Sequence, residues 1–204
     1  MTISERMNLA FERFDKTHLT FYGMFALLSV LDNFQEYLIP RGSDTAHIVF
    51  SLLMFLSMIS VSVLYLMKLC ENKTQVKFIY FFIPYLLYSI YYSIIGLVGL
   101  IFLFIPGIIY YYLPIIATLH EKASPFKGSI TLFKNAKAFT IFVALYTLFA
   151  ELFPFLISFY FKNDFKSQLI NLSFDLISTW IMMIITIAVV DYFESAKSLL
   201  EENS

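Results

Sequence analysis

One cysteine, Cys70, stands alone in 204 residues, so no disulfide can form within the chain and no multi-cysteine metal site can be built. Charge is scarce too: Asp, Glu, Lys and Arg make up 14% of the residues and nearly cancel, leaving a formal net charge of -1. A chain so weakly charged has no basic surface able to neutralise a run of phosphates, which excludes nucleic acid as a partner. Glycine and proline number only six each, too few for a low-complexity chain. No GxSxG elbow, phosphate-cradling loop or HExxH spacing occurs, and His18, His47 and His120 are scattered. The sequence therefore points to no enzyme chemistry, no metal site and no cofactor.

What fills the chain is apolar bulk. Hydrophobic residues make up 59%, with 24 Phe and 14 Tyr, and the mean hydropathy is +0.75. A soluble domain of this length cannot bury that much, so the expected solvent is a bilayer, with aromatic rings packing between helices and at the interfaces. Residues 1–16 carry Glu5, Arg6, Glu12 and Arg13 without a short apolar region and small-residue cleavage site, so no cleaved signal peptide is expected. Ile3, Met7, Phe11 and Phe14 recur there at helical spacing, which predicts a cytoplasmic interfacial helix.

Apolar stretches long enough to cross about 30 Å of hydrocarbon occupy roughly 19–40, 46–70, 138–161 and 168–193. From Phe78 to Leu119 there is no charge at all, a length that divides into two further spans, 78–95 and 99–119, with a turn near Gly96 and Gly99. Lysine and arginine favour that division. With six spans only Arg41, Lys162 and Lys166 face outward, and all the other basic residues fall inside, as positively charged loops do. The expectation is an all-α, polytopic bundle of about six transmembrane helices over 17–193, with both termini and the 194–204 tail on the cytoplasmic side. Pro84, Pro106, Pro114 and Pro154 fall within spans, where each removes a backbone hydrogen bond and predicts a kink. Ser124-Pro125 reads as the start of an interfacial helix over 124–136, with Phe126, Ile130 and Phe133 toward the interface and Lys127, Lys134 and Lys137 toward water.

The run FIPGIIYYYLPIIATLHEKASPFKGSITLFKNAKAF, Phe104 to Phe139, combines a Pro-Gly in an apolar span, an aromatic-rich stretch, a short polar turn and a basic helix with a central serine, Ser129. It resembles the membrane domain attached to some glycerophosphoryl diester phosphodiesterases and the related free-standing integral membrane proteins of the YciC type. The likeness is carried by roughly residues 78–145. It implies a six-helix membrane domain and, because the chain has no phosphodiesterase domain, none of that chemistry.

Acidic side chains within spans are the main functional lead, because each costs about 2.5 to 3.5 kcal/mol at mid-bilayer. Ser29, Asp32, Asn33 and Glu36 lie on one face of the first span; Asn171, Asp175, Ser178, Thr179 and Thr186 do the same in the sixth. Asp32 and Asp175 both fall about 10 to 12 Å below the outer surface at 1.5 Å per residue. Glu151 follows Thr147 by one turn in the fifth span, and His47 and Ser51 open the second. Asp32, Glu36, His47, Glu151 and Asp175 thus compose a candidate acidic cavity facing outward. Clustered carboxylates can hold a cation, exchange protons or bind an amine-bearing or lipid-derived solute. The alternative is that these groups only hydrogen-bond between helices, in a structural or assembly partner of another membrane or lipid-metabolism protein. Expected partners are membrane lipids and either a second copy of the chain or another membrane protein.

Overall fold

The computed structural model describes residues 1–39, 43–69, 78–101, 105–119, 124–160 and 165–196, apart from the side chains of 36, 93, 96–101, 119, 151, 155 and 158–160. The described chain is all-α. In order come α1 Ile3–Glu12, α2 Lys16–Asn33, α3 Gln35–Leu38, α4 Asp44–Leu69 and α5 Phe78–Ile101, then α6 Ile105–Ile109, α7 Leu113–Leu119, α8 Pro125–Asn135, α9 Lys137–Tyr160 and α10 Phe165–Ser195.

Among the described residues, three segments are long and apolar enough to cross a membrane: Asp44–Leu69, Lys137–Pro154 and Phe165–Ser195. Phe78–Tyr92 and Ile105–Thr118 are shorter apolar helices. The predicted first span, 19–40, is divided between α2 and α3 at Phe34, whose backbone leaves the helical region. Lys16 and His18 at its start and Asp32 and Asn33 at its end also make α2 less apolar than the other long helices. Large apolar side chains point away from the bundle, among them Ile48, Leu52 and Leu53 on α4, Leu87 on α5, Phe149 on α9 and Ile177 on α10. An apolar outer surface on that scale is suited to lipid rather than to water.

Two expectations about the middle of the chain are corrected. Instead of turning at Gly96 and Gly99, α5 continues through both to Ile101. A helical glycine costs about 1 kcal/mol, less than leaving backbone groups unpaired in lipid. The return segment is broken into α6 and α7 rather than continuous. Pro114 has no N–H and its ring would strike the carbonyl one turn back, so the helix breaks ahead of it at Tyr110–Tyr112 and Pro114 falls in the first turn of α7, where it is tolerated. Leu113 then bonds to the Tyr110 carbonyl at 3.0 Å, leaving the Ile109 carbonyl without its helical donor. The Ser129 hydroxyl on α8 takes that place, donating to Ile109 O at 3.0 Å. Pro84 and Pro154 lie inside α5 and α9 without ending them.

Of the two short helices α1 and α8, α1 starts at a side-chain cap and α8 does not. Thr2 and Glu5 form a reciprocal capping box, Glu5 N to Thr2 Oγ1 at 3.2 Å and Thr2 N to Glu5 Oε2 at 2.7 Å, and α1 starts there. Ser124 stands at the N-cap of α8 with Pro125 following, but its side chain makes no capping bond. The face of α8 buried against the bundle is Gly128, Ser129 and Leu132. Phe126 stays 40% exposed, against the rings of Tyr88 and Tyr110.

The core lies toward the end of the bundle that carries the N- and C-terminal segments. There α10 is buried nearly all round, from Met183 through Phe193, against Tyr112, Ile116, Leu132, Phe139 and Val143. Ala10, Ile3 and Met7 of α1 and Phe14 just after it pack on this core, while Phe11 sits edge-on to Trp180. Arg6 stands over the rings of Tyr192 and Phe139, 4.7 and 5.3 Å from their centroids, and Arg13 pairs with Asp191. The first and last helices thereby meet at one end of the bundle.

Candidate functional site

Helical periodicity builds a chamber between the long helices. On α10, Asp175, Ser178, Thr179, Met182, Met183 and Thr186 recur at three- and four-residue steps and share one face. Phe25, Ser29 and Asp32 of α2 and Met58, Ser62 and Tyr65 of α4 face them. Tyr85, Ser89 and Tyr92 of α5, Tyr111 from the break before α7, and Thr147 of α9 close the wall. Together they line a cavity of about 600 Å³ to which, among the described residues, no lysine or arginine contributes.

Several of its hydroxyls are already bonded to their own helices: Ser62 to the Met58 carbonyl at 2.9 Å, Thr147 to Val143 at 3.0 Å and Thr186 to Met182 at 2.8 Å. Ser29 and Ser178 are different. Both are buried, 5% and 6% exposed, yet neither hydroxyl has a hydrogen-bond partner among the described residues. The two carboxylates differ as well. Asp175 Oδ2 accepts from Asn33 Nδ2 at 2.7 Å, a bond that ties α2 to α10, and Asn33 also donates to the Ser29 carbonyl at 3.0 Å. Asp32 stays solvent-accessible and makes no hydrogen bond or ion pair with a described residue.

At the other end of the cavity Tyr65, 2% exposed, places its hydroxyl 3.1 Å from His18 Nδ1. His18 Nε2 is 3.9 Å from Asp15 Oδ1, and its ring stacks on Phe14. Asp15 caps α2 by accepting from the backbone N–H groups of His18 and Thr17 at 3.3 and 2.8 Å, which hold its carboxyl below the usual carboxylate range.

Of the residues singled out from the sequence, Asp32 and Asp175 line one cavity, as do Ser29, Ser178, Thr179, Thr186 and Thr147. His47, near the start of α4, does not line it, because the register of α4 brings Met58, Ser62 and Tyr65 to the chamber some three turns further along. Ser51, expected beside His47 and Glu36, meets Gln35 Oε1 on α3 at 3.4 Å. The side chains of Glu36 and Glu151 lie outside the described set. Tyr85, Ser89 and Tyr92 were not anticipated, although their spacing along an uncharged helix is itself an amphipathic signal. Among the described residues no three His, Cys, Asp or Glu side chains come together. No family model matches the chain, and neither a curated protein nor a solved structure matches it.

Proposed function

We propose that the chain is a non-enzymatic, six-span protein of a bacterial cytoplasmic membrane, related to the YciC type, whose central cavity binds or transports a positively charged solute. Asp32 carries this reading: a carboxylate set into an apolar bundle, open to a cavity of about 600 Å³ and without a cationic or hydrogen-bonding partner among the described residues. An ionised carboxylate in such surroundings is expensive unless a cation or a proton accompanies it. The six spans are α2 with α3, α4, α5, α6 with α7, α9 and α10. That even number of crossings agrees with the meeting of α1 and the end of α10 at one end of the bundle. With the termini inside, Asp32 and Asp175 occupy the outer half of the cavity and Tyr65 its inner end.

A second reading has its own support. The 2.7 Å bond from Asn33 to Asp175 is the kind of interhelical contact that holds a membrane bundle together, as a structural or assembly partner of another membrane protein requires. Melting of the purified protein separates the two. Under the binding reading, a panel of cations from sodium and methylammonium to bulky organic cations contains at least one that raises the melting temperature. Asp32→Asn abolishes that rise while moving the basal melting by no more than a few degrees. A wild-type protein indifferent to every cation of the panel between pH 5 and 8 would sink the binding reading.

Topology is tested separately, in a protein with Cys70→Ser. A thiol reagent that cannot cross the membrane is expected to label Ser43→Cys in intact cells and to leave Lys134→Cys on α8 unlabelled until the cells are opened. Labelling of the α8 position from outside overturns the orientation.

A further inference from the structure

Resting on the proposed binding of a positive solute, we infer that the cavity is built for an amphipathic organic cation, a charged nitrogen or phosphorus on an aromatic or alkyl body, rather than for a bare metal ion or a proton. Size comes first. A cavity of about 600 Å³ lies within the roughly 300 to 1,000 Å³ of pockets that hold small organic molecules, and it is many times larger than an inorganic ion. A hard cation also needs about six or more convergent oxygens, whereas here two carboxylates stand in a chamber where, among the described residues, no third His, Cys, Asp or Glu joins them.

The wall is polarised along its length. From Asp175 to Thr186 the lining of α10 extends about 16 Å at 1.5 Å per residue. Asp32, Asp175 and the unpartnered hydroxyls of Ser29 and Ser178 occupy one end. The same wall carries the rings of Tyr92 and Tyr111, edge to face with centroids 6.2 Å apart, and the thioethers of Met58, Met182 and Met183. Aromatic faces attract a cation and also pack an apolar body, and methionine adapts its shape to irregular ligands. The two buried serines, each without a partner among the described residues, face the carboxylate end, where a ligand's N–H groups or its bound water can satisfy them. A charged head between Asp32 and Asp175, with its body along the tyrosines and methionines, uses every one of these features.

The test measures binding of tetraphenylphosphonium to the full-length protein in phosphatidylcholine nanodiscs, against empty nanodiscs and against tetraphenylborate, an anion of the same shape. Methylammonium, read by its effect on melting, is the small-cation arm. Saturable binding of the phosphonium is expected, with none of the borate. Asp32→Asn should weaken it at least tenfold. Ala150→Phe, which adds a ring to the wall without touching a carboxylate, should do the same while leaving any methylammonium response in place, and Ser62→Phe repeats the test on α4 should the first variant not fold. Stabilisation by methylammonium that depends on Asp32, with no phosphonium binding, leaves the binding function standing and overturns the organic-cation assignment. Phosphonium uptake equal in wild type and Asp32→Asn, or matched by the borate, is adsorption to an apolar surface and overturns it as well. Failure of both probes removes the function and the assignment together.

Discussion

Tyr112→Ala is expected to destabilise the folded protein by about 3 to 5 kcal/mol, the range for removing a large aromatic side chain from a packed core. Tyr112 is fully buried at the break between α6 and α7. Its ring lies against those of Tyr111 and Tyr192, with centroids 5.6 and 5.8 Å away, and its hydroxyl meets Thr140 Oγ1 at 3.0 Å. Tyr112→Phe separates these contributions, because it keeps the ring and loses only a hydrogen bond worth about 0.5 to 1.5 kcal/mol. Thr140 still has the Ala136 carbonyl as a partner at 3.0 Å, so the hydroxyl left behind is not stranded. Unfolding of both variants in mixed micelles measures the difference. Should alanine cost no more than phenylalanine, the ring is not packed and the position of the core is wrong.

Ser129→Ala should cost about 1 to 3 kcal/mol, more than a serine at an interfacial helix ordinarily contributes. The reason is the proline in the preceding helix: Pro114 breaks the return segment, the break frees the Ile109 carbonyl, and Ser129, itself fully buried, supplies the missing donor at 3.0 Å. Removing the hydroxyl leaves a polar atom in the bundle without a partner. Ser173→Ala on α10 is the matched control, since that hydroxyl is exposed and only doubles a bond to its own helix, at Leu169. Its effect should stay within about 0.5 kcal/mol. Equal effects at the two serines would remove the capping role from Ser129.

The polar stripes of α2 and α10 were legible in the sequence because a carboxylate among leucines and phenylalanines has few structural explanations. Asp32 and Asp175 therefore stood out and do face one cavity. The tyrosines of the wall did not stand out, since 14 tyrosines in an aromatic-rich chain dilute the signal of any one of them. His47 and Ser51 were assigned to the cavity by depth alone, and depth does not fix which way a helix is turned. In α8 the apolar pattern of Phe126, Ile130 and Phe133 was visible, but the packing of Ser129 was not, because it answers a carbonyl left open in a different helix. Glycine misled at Gly96 and Gly99 because turn preferences measured in water lose force where an unpaired backbone group has only hydrocarbon around it.

The fastening of α1 has a consequence for how the molecule is made. Arg13 reaches Asp191 across 178 residues of chain, and Arg6 lies over Tyr192, so α1 docks on a helix synthesised long after it. Until α10 is synthesised, α1 has no α10 surface to dock on, and its apolar residues Ile3 and Met7 lack that cover. Contacts this distant in sequence form late. Helix α1 therefore acts as a closing latch, engaged only once α10 has been made, and that end of the bundle is sealed late.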